Sequence, residues 1–206
     1  IRNVTLELLG KGAQLADRLK SELAAVLLGR SGAAEVATLA AHGADRVYVA
    51  DHPTLEHYDT ELYAKVLADA VVRYKPYIVL VPATVNGRDL APRVAARLGL
   101  GLTGDCIDLE IDAEERLVQL KPAFGGTIVA PILSRTTPAM ATVRPGMLAR
   151  LAPEPGRAAV IERLVVRHDR EVKAGRLAGC VSPVAMIRGD ANLHRGDTRL
   201  RLVRVR

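Results

Sequence analysis

Residues 77–99 read Tyr-Ile-Val-Leu-Val-Pro-Ala-Thr-Val-Asn-Gly-Arg-Asp-Leu-Ala-Pro-Arg-Val-Ala-Ala-Arg-Leu-Gly. The stretch 77–82 is apolar without alternation, which predicts a strand buried on both faces, as in the middle of a parallel sheet. Asn86-Gly87 then turns the chain into a helix that runs through Leu98 and stops at Gly99. Upstream, 59–74 is the clearest helix. Asp59 or Thr60 caps it, Glu61 lies in its first turn, and Leu62, Val66, Ala70 and Tyr74 form a stripe at spacing four. Lys75-Pro76 ends it. Farther back come a strand over 46–50, a helix over 33–42 closed by Gly43, and a strand over 23–28 ended by Gly29. A helix over 12–22 precedes them, with Leu15, Leu19 and Leu23 at spacing four. This alternation predicts an α/β fold: a doubly wound, mostly parallel sheet with flanking helices and right-handed crossovers. After Gly99 the pattern becomes β-rich and partly antiparallel, with short strands expected over 106–111, 116–120, 126–133, 140–143 and 158–166. Residues 112–115 make a hairpin turn. From His168 onward no periodicity is firm except the apolar–Arg alternation over 198–206.

Composition narrows the function classes. The chain has 206 residues, 49% of them hydrophobic, with a single Phe (Phe124) and no Trp. A core of small aliphatics suits close packing of helices on a sheet. It lacks the aromatics that a base-stacking surface uses. The net charge is +6, but 11 of the basic and 4 of the acidic residues fall within 163–206, so the body is close to neutral and the tail is basic. Such a tail is either a solvated end or a surface for an acidic partner or nucleic acid. Cys106 and Cys180 are far apart, with neither CxxC nor zinc-ligand spacing, which fits a reducing cytoplasm. No run is long enough to span a bilayer. The first residues do not read as a signal peptide, and with no initiator Met the chain is expected to begin inside a longer protein.

Three segments carry residues suited to binding. In the first, a central strand runs into a helix start and places Asn86, Gly87 and Arg88 at the C-terminal edge of the sheet, where open α/β sheets bind ligands and helix N-termini favour anions. The same residues also read as a helix cap, with Asn86 capping and Asp89 assisting. Arg93 and Arg97 line either a solvated or a partner-facing side. In the second, Gly125 and Gly126 follow Phe124 and allow close backbone approach or a bulge. In the third, Arg144 ends a strand, is stiffened by Pro145, and is released into a turn by Gly146. It is either a turn with a solvated charge or a fixed guanidinium for an anionic flavin or phosphate. No nucleophile elbow or metal-ligand array accompanies them, so no catalytic or metal residues are assigned.

The runs 43–53, 58–63, 84–99, 122–126 and 140–146 together resemble the α subunit of electron transfer flavoproteins. They resemble most the bacterial and archaeal subgroup, which includes electron-bifurcating members. The resemblance covers about residues 4–150. It implies a fold related to adenine-nucleotide α-hydrolases, a heterodimer with a β subunit, and FAD as cofactor, with NAD as a further ligand. Dehydrogenases or a quinone oxidoreductase are the implied redox partners. It implies that Arg88, Phe124 and Arg144 lie near the subunit interface. In this family FAD sits chiefly in a C-terminal domain that opens on a Gly-Arg-Gly motif, which is not found here, and a first strand precedes the position of Ile1. On this basis residues 1–167 are expected to form the family's N-terminal α/β domain and 168–206 a basic tail. The chain is then an electron-carrier component and not a stand-alone enzyme. The competing readings are a nucleotide-binding regulatory module on a related fold, which lacks a Gly-rich ATP loop here, and a nucleic-acid-associated protein, which the neutral body and scarce aromatics disfavour.

Overall fold

The computed structural model describes residues 1–30, 33–166 and 183–188, together with the backbone of Val203–Arg204. The chain opens with α1 (Asn3–Arg18). The sequence places this helix at 12–22, and the difference has a packing cause. Gly10 and Gly12 look like breakers but permit contact: a Cβ on Gly10 would stand 2.7 Å from the Ala149 carbonyl oxygen, and one on Gly12 2.8 Å from Leu23 Cδ1. At the other end Lys20 adopts φ +52°. The chain therefore leaves the helix before Leu23, which starts a strand instead of extending the leucine stripe.

That strand is β1 (Leu23–Gly29), followed by α2 (Ala33–Ala41), β2 (Arg46–Asp51), α3 (Thr60–Tyr74), β3 (Pro76–Pro82) and α4 (Val85–Leu98). These elements agree with the sequence reading to within a residue or two. Asp59 caps α3 by accepting from the Leu62 N–H at 2.8 Å. Beyond α4 come β4 (Leu102–Cys106), β5 (Asp108–Ile111), β6 (Leu117–Ala123), β7 (Ile128–Leu133), β8 (Ala139–Val143), β9 (Val160–Arg163), β10 (Val184–Arg188) and β11 (Val203–Arg204). Where the sequence suggests one strand at 106–111, the structure divides the stretch at Ile107: Cys106 ends β4, which pairs with β8 in the main sheet, and Asp108–Ile111 pairs with β6 in the second sheet.

Seven strands form the main sheet in the order β4-β8-β3-β10-β1-β2-β9; β5, β6, β7 and β11 form a second sheet. All pairings in the main sheet are parallel except the two made by β10, which runs antiparallel between β3 and β1. The 168–206 segment, which showed no firm periodicity, thus contributes a strand to the middle of the sheet. The rest of the basic tail, including Cys180 and most of the 198–206 alternation, lies outside the described residues.

Two cores explain the unalternated strands. Ala24, Val26, Leu28, Val79, Val81, Val184 and Met186 face α3 and α4. Leu23, Ala25, Leu27, Ile78, Leu80, Ala185 and Ile187 face the opposite way, toward α1, α2 and the second sheet. All positions on these strands except Gly29, Tyr77 and Arg188 are buried, on one side or the other, so burial erases the period-two signal. β9 closes one edge of the sheet with Val160 and Ile161 more than half exposed. Among the described residues no helix is long and apolar enough to cross a membrane.

Candidate functional site

β3, β8 and β4 end side by side, and α4 begins directly after β3. The cap of α4 is Thr84, whose Oγ1 accepts from the Gly87 N–H at 3.2 Å. It is not Asn86, which lies inside the first turn and whose backbone carbonyl accepts from the Tyr58 hydroxyl at 3.3 Å. Asp89 turns away from the cap toward α3, accepting from Tyr58 Oη at 2.8 Å and Thr60 Oγ1 at 2.5 Å. The Thr60 hydroxyl and, secondarily, the Tyr58 hydroxyl hold its carboxyl below the usual carboxylate value, against the opposing effect of burial. Arg93 and Arg97 both reach Glu61, at 2.9 and 3.0 Å, so they tie α4 to α3. Gly87 is fixed by contact: a Cβ there would lie 1.9 Å from the Pro82 carbonyl oxygen.

Arg88 and Arg144, chosen separately from sequence, meet through a residue the sequence reading passed over. Asp105 Oδ1 accepts from Arg88 Nη2 at 2.9 Å, and its Oδ2 accepts from Arg144 Nη2 at 2.6 Å and Nε at 3.2 Å. Hydrogen bonding from Arg144, with the charges of both arginines, keeps the Asp105 carboxyl below the usual value, and Asp105 in turn raises Arg144. Two cations against one anion leave this edge net positive, and among the described residues both half-exposed guanidinium groups keep donors that meet no acceptor. That arrangement suits a phosphate or another delocalised anion.

The backbone around Asp105 is held at several points. Register slips between Thr103 and Cys106, forming a bulge in β4. The Asp105 N–H donates to Thr142 Oγ1 at 2.8 Å, Lys121 Nζ donates to the Gly104 carbonyl at 2.6 Å, and the Arg144 N–H donates to the Cys106 carbonyl at 2.8 Å. The turn after Arg144 is anchored too. Gly146, at φ +80°, donates its N–H to Glu7 Oε2 at 2.7 Å, and Glu7 is buried on α1. Pro145 is exposed between these anchors. Glu7 lies far away in sequence and gives no signal there. A Gly104-Asp105 pair just before an apolar strand is the one local hint of the bulge.

Phe124, Gly125 and Gly126 form a 3-10 turn at the tip of the β6–β7 hairpin. Gly125 and Gly126 have φ +69° and +92°, the left-handed region that glycine adopts without strain, and among the described residues nothing stands within 4 Å of an added Cβ, so this backbone is open on its outer side. Phe124 is 77% exposed, and its carbonyl accepts from the Thr127 hydroxyl and N–H within the same turn. The hairpin is joined to the arginine cluster through Lys121 on β6. Nearby Cys106 is buried, and desolvation pushes its thiol up to about 11.

The sequence matches the electron transfer flavoprotein domain family over residues 1–169. It is 50% identical over 153 residues to the electron transfer flavoprotein subunit alpha of Clostridium acetobutylicum, an alignment covering 73% of this chain and 46% of that protein. It is 39% identical over 198 residues to the acryloyl-CoA reductase electron transfer subunit beta of Anaerotignum propionicum, covering 83% of this chain and 54% of that protein. It is 46% identical over 145 residues to the lactate dehydrogenase (NAD(+),ferredoxin) subunit LctC of Acetobacterium woodii, covering 70% and 35%. The chain spans about half the length of the curated relatives it matches, or less. A doubly wound sheet with a net-positive C-terminal edge, together with this identity across most of the chain, leads to one assignment: the chain belongs to the electron transfer flavoprotein domain family.

Proposed function

We propose that this chain is the partner-docking α/β domain of an electron transfer flavoprotein α subunit. It works within a heterodimer that carries FAD and passes electrons from dehydrogenases to an acceptor. In this reading residues 1–167 make up the family domain, and the basic segment 168–206 adds β10 to it. The β subunit docks on the face that presents Phe124, and Arg88 and Arg144 approach a flavin or a nicotinamide dinucleotide. Asn86, Gly87, Gly125, Gly126 and Pro145 belong to the same cofactor-binding set and contribute the backbone beside these side chains. The NAD(+) and ferredoxin for which the Acetobacterium woodii relative is named support a dinucleotide as ligand and electron bifurcation as the mode. The thiol buried at Cys106 agrees with a reducing cytoplasm.

The observation that carries the reading is the pairing of Arg88 and Arg144 across Asp105 at the sheet edge. A fixed positive charge stabilises anionic reduced flavin and dinucleotide phosphates, and guanidinium groups stay charged at every relevant pH. The test compares the assembled α/β complex with its Arg144→Ala variant. The variant is expected to lower a flavin reduction potential or to weaken dinucleotide binding about fivefold, a modest loss because the pair is half exposed, at unchanged melting temperature. Unchanged potential and affinity would make Arg144 a turn residue. Failure of the wild-type chain to form a flavin-bearing two-subunit complex, with ATP retained instead, would favour a regulatory nucleotide-binding module. On its own, the 206-residue chain is expected to emerge from gel filtration without FAD.

A further inference from the structure

The bulge that carries Asp105 costs energy and is nevertheless held in place. A residue with a Cβ at φ +64° is strained relative to an ordinary backbone conformation, though less so for Asp than for most residues. The surrounding structure compensates with three bonds to the backbone of the bulge and its flank: the buried Thr142 hydroxyl accepts from the Asp105 N–H, and Lys121 and the Arg144 N–H donate to the Gly104 and Cys106 carbonyls. These hold 104–106 in a shape that β4 pairing alone would not choose. The result of the shape is the position of one carboxylate. It lies between a guanidinium from the first turn of α4 and another from the end of β8, bonding one on each oxygen. Strain that the surroundings maintain, and that serves to aim one side chain, is the pattern of a functional position.

Resting on the reading of this edge as a dinucleotide site, we propose that Asp105 is its positioning residue: it holds Arg88 and Arg144 as a preorganised pair that receives the diphosphate of a dinucleotide on their outward donors. Arg144 presents its Nε–Nη2 side to Asp105, and Arg88 presents only Nη2, so among the described residues each guanidinium keeps Nη1 for a ligand and Arg88 also keeps Nε. Asp105 does not touch the ligand; it acts through the arginines. Without it, two flexible cations on different elements would repel one another, and each would have to be ordered when the anion arrives. Its own negative charge opposes the anion only weakly, because the pairs are partly exposed and screened.

Asp105→Gly separates this role from a role in folding. Glycine accepts φ +64° without strain, so the bulge persists while the carboxylate is lost. The probe is ADP, the half that FAD and NAD share, titrated calorimetrically into the assembled α/β complex. Asp105→Gly is expected to keep or raise the melting temperature and to weaken ADP binding about fivefold. In an Arg144→Ala background the same change is expected to cost less than about twofold, because its route of action is gone. Asp105→Asn tolerates the same backbone and keeps one acceptor oxygen, so an intermediate loss is expected from it. Unchanged or tighter binding in Asp105→Gly, or an equal loss in both backgrounds, would overturn the assignment. If Arg144→Ala weakens ADP and Asp105→Gly does not, only the role of Asp105 fails. If the wild-type complex takes up no ADP, the reading of the edge as a dinucleotide site fails, and the role of Asp105 with it.

Discussion

Replacing Gly87 by Ala tests whether the start of α4 is fixed by contact with β3. The added methyl would sit 1.9 Å from the Pro82 carbonyl oxygen, about 1.5 Å inside the 3.4 Å at which ordinary contact begins. That carbonyl cannot simply turn aside, because it already accepts from the Thr84 N–H at 2.8 Å. Relief requires the first turn of α4 to lift from the strand, which also strains the bond from Gly87 to the Thr84 cap. Overpacking of this kind costs about 1–3 kcal/mol and occasionally more. Working against it, Ala gains about 1 kcal/mol over Gly in a helix. With an overlap this deep the steric cost wins, and a net loss of about 2 kcal/mol is expected. In a domain of this size that corresponds to a fall of about 4–8 °C in melting temperature. Urea unfolding followed by far-ultraviolet circular dichroism measures it, with equal m-values as the check on two-state behaviour. Gly99→Ala is the control: Gly99 has φ +65° and open space around it, so it reports backbone strain without overlap. If Gly87→Ala is as stable as wild type, helix propensity has outweighed the contact and the close-approach argument is wrong.

Three further outcomes are expected. Asp89→Ala removes the acceptor of Tyr58 and Thr60 and should cost about 1–3 kcal/mol in urea. Because the folded-state pKa of Asp89 is depressed, its contribution is present above the unfolded value of about 3.9 and lost as pH falls through the folded one. Asp89→Asn should therefore flatten the acid limb of the stability curve, and an unchanged limb would refute this. In a Cys180→Ser background, Cys106, with its thiol raised to about 11, should resist an aromatic disulfide reagent at pH 8 and react on unfolding; fast labelling of the native protein would contradict its burial. Phe124→Ser should leave thermal stability of the chain unchanged, since the ring is 77% exposed, yet weaken association with a β-type partner by light scattering or titration; equal association would remove Phe124 from the interface.

The sequence made the strand–helix alternation legible because each element carries its own punctuation: Asp59 and Pro76 bound α3, and Gly99 ends α4 with φ +65°. It concealed the features set by distant partners. Gly10 and Gly12 look like helix breakers until Ala149 and Leu23 are placed against them. Val184–Arg188 is a short apolar run between glycines, and nothing local says that it enters the sheet between β3 and β1. At the candidate site, Arg88 and Arg144 were visible through the turn signals beside them. Asp105 and Glu7 were not, because a carboxylate acquires its role from the side chain or N–H it meets, here at Arg144 and Gly146. Capping of α4 was misplaced by two residues for a similar reason: Asn86 and Thr84 are both capping types, and only geometry chooses between them.

The outer rim of β9 has a practical consequence for anyone concentrating this protein. Among the described residues it pairs with β2 on one side only, so its outward N–H and C=O groups are a template for a strand from another copy. The exposed side chains of Val160 and Ile161 would reward such stacking on either face. Two things restrain growth: the strand is only four residues long, and Glu162 and Arg163 interrupt its apolar run with charge. A lysine at position 161 would extend that charged stretch across the rim. Turbidity that rises with protein concentration, and disappears in Ile161→Lys at unchanged melting temperature, would trace clouding of the stock to a single backbone edge and remove it without touching the arginine cluster.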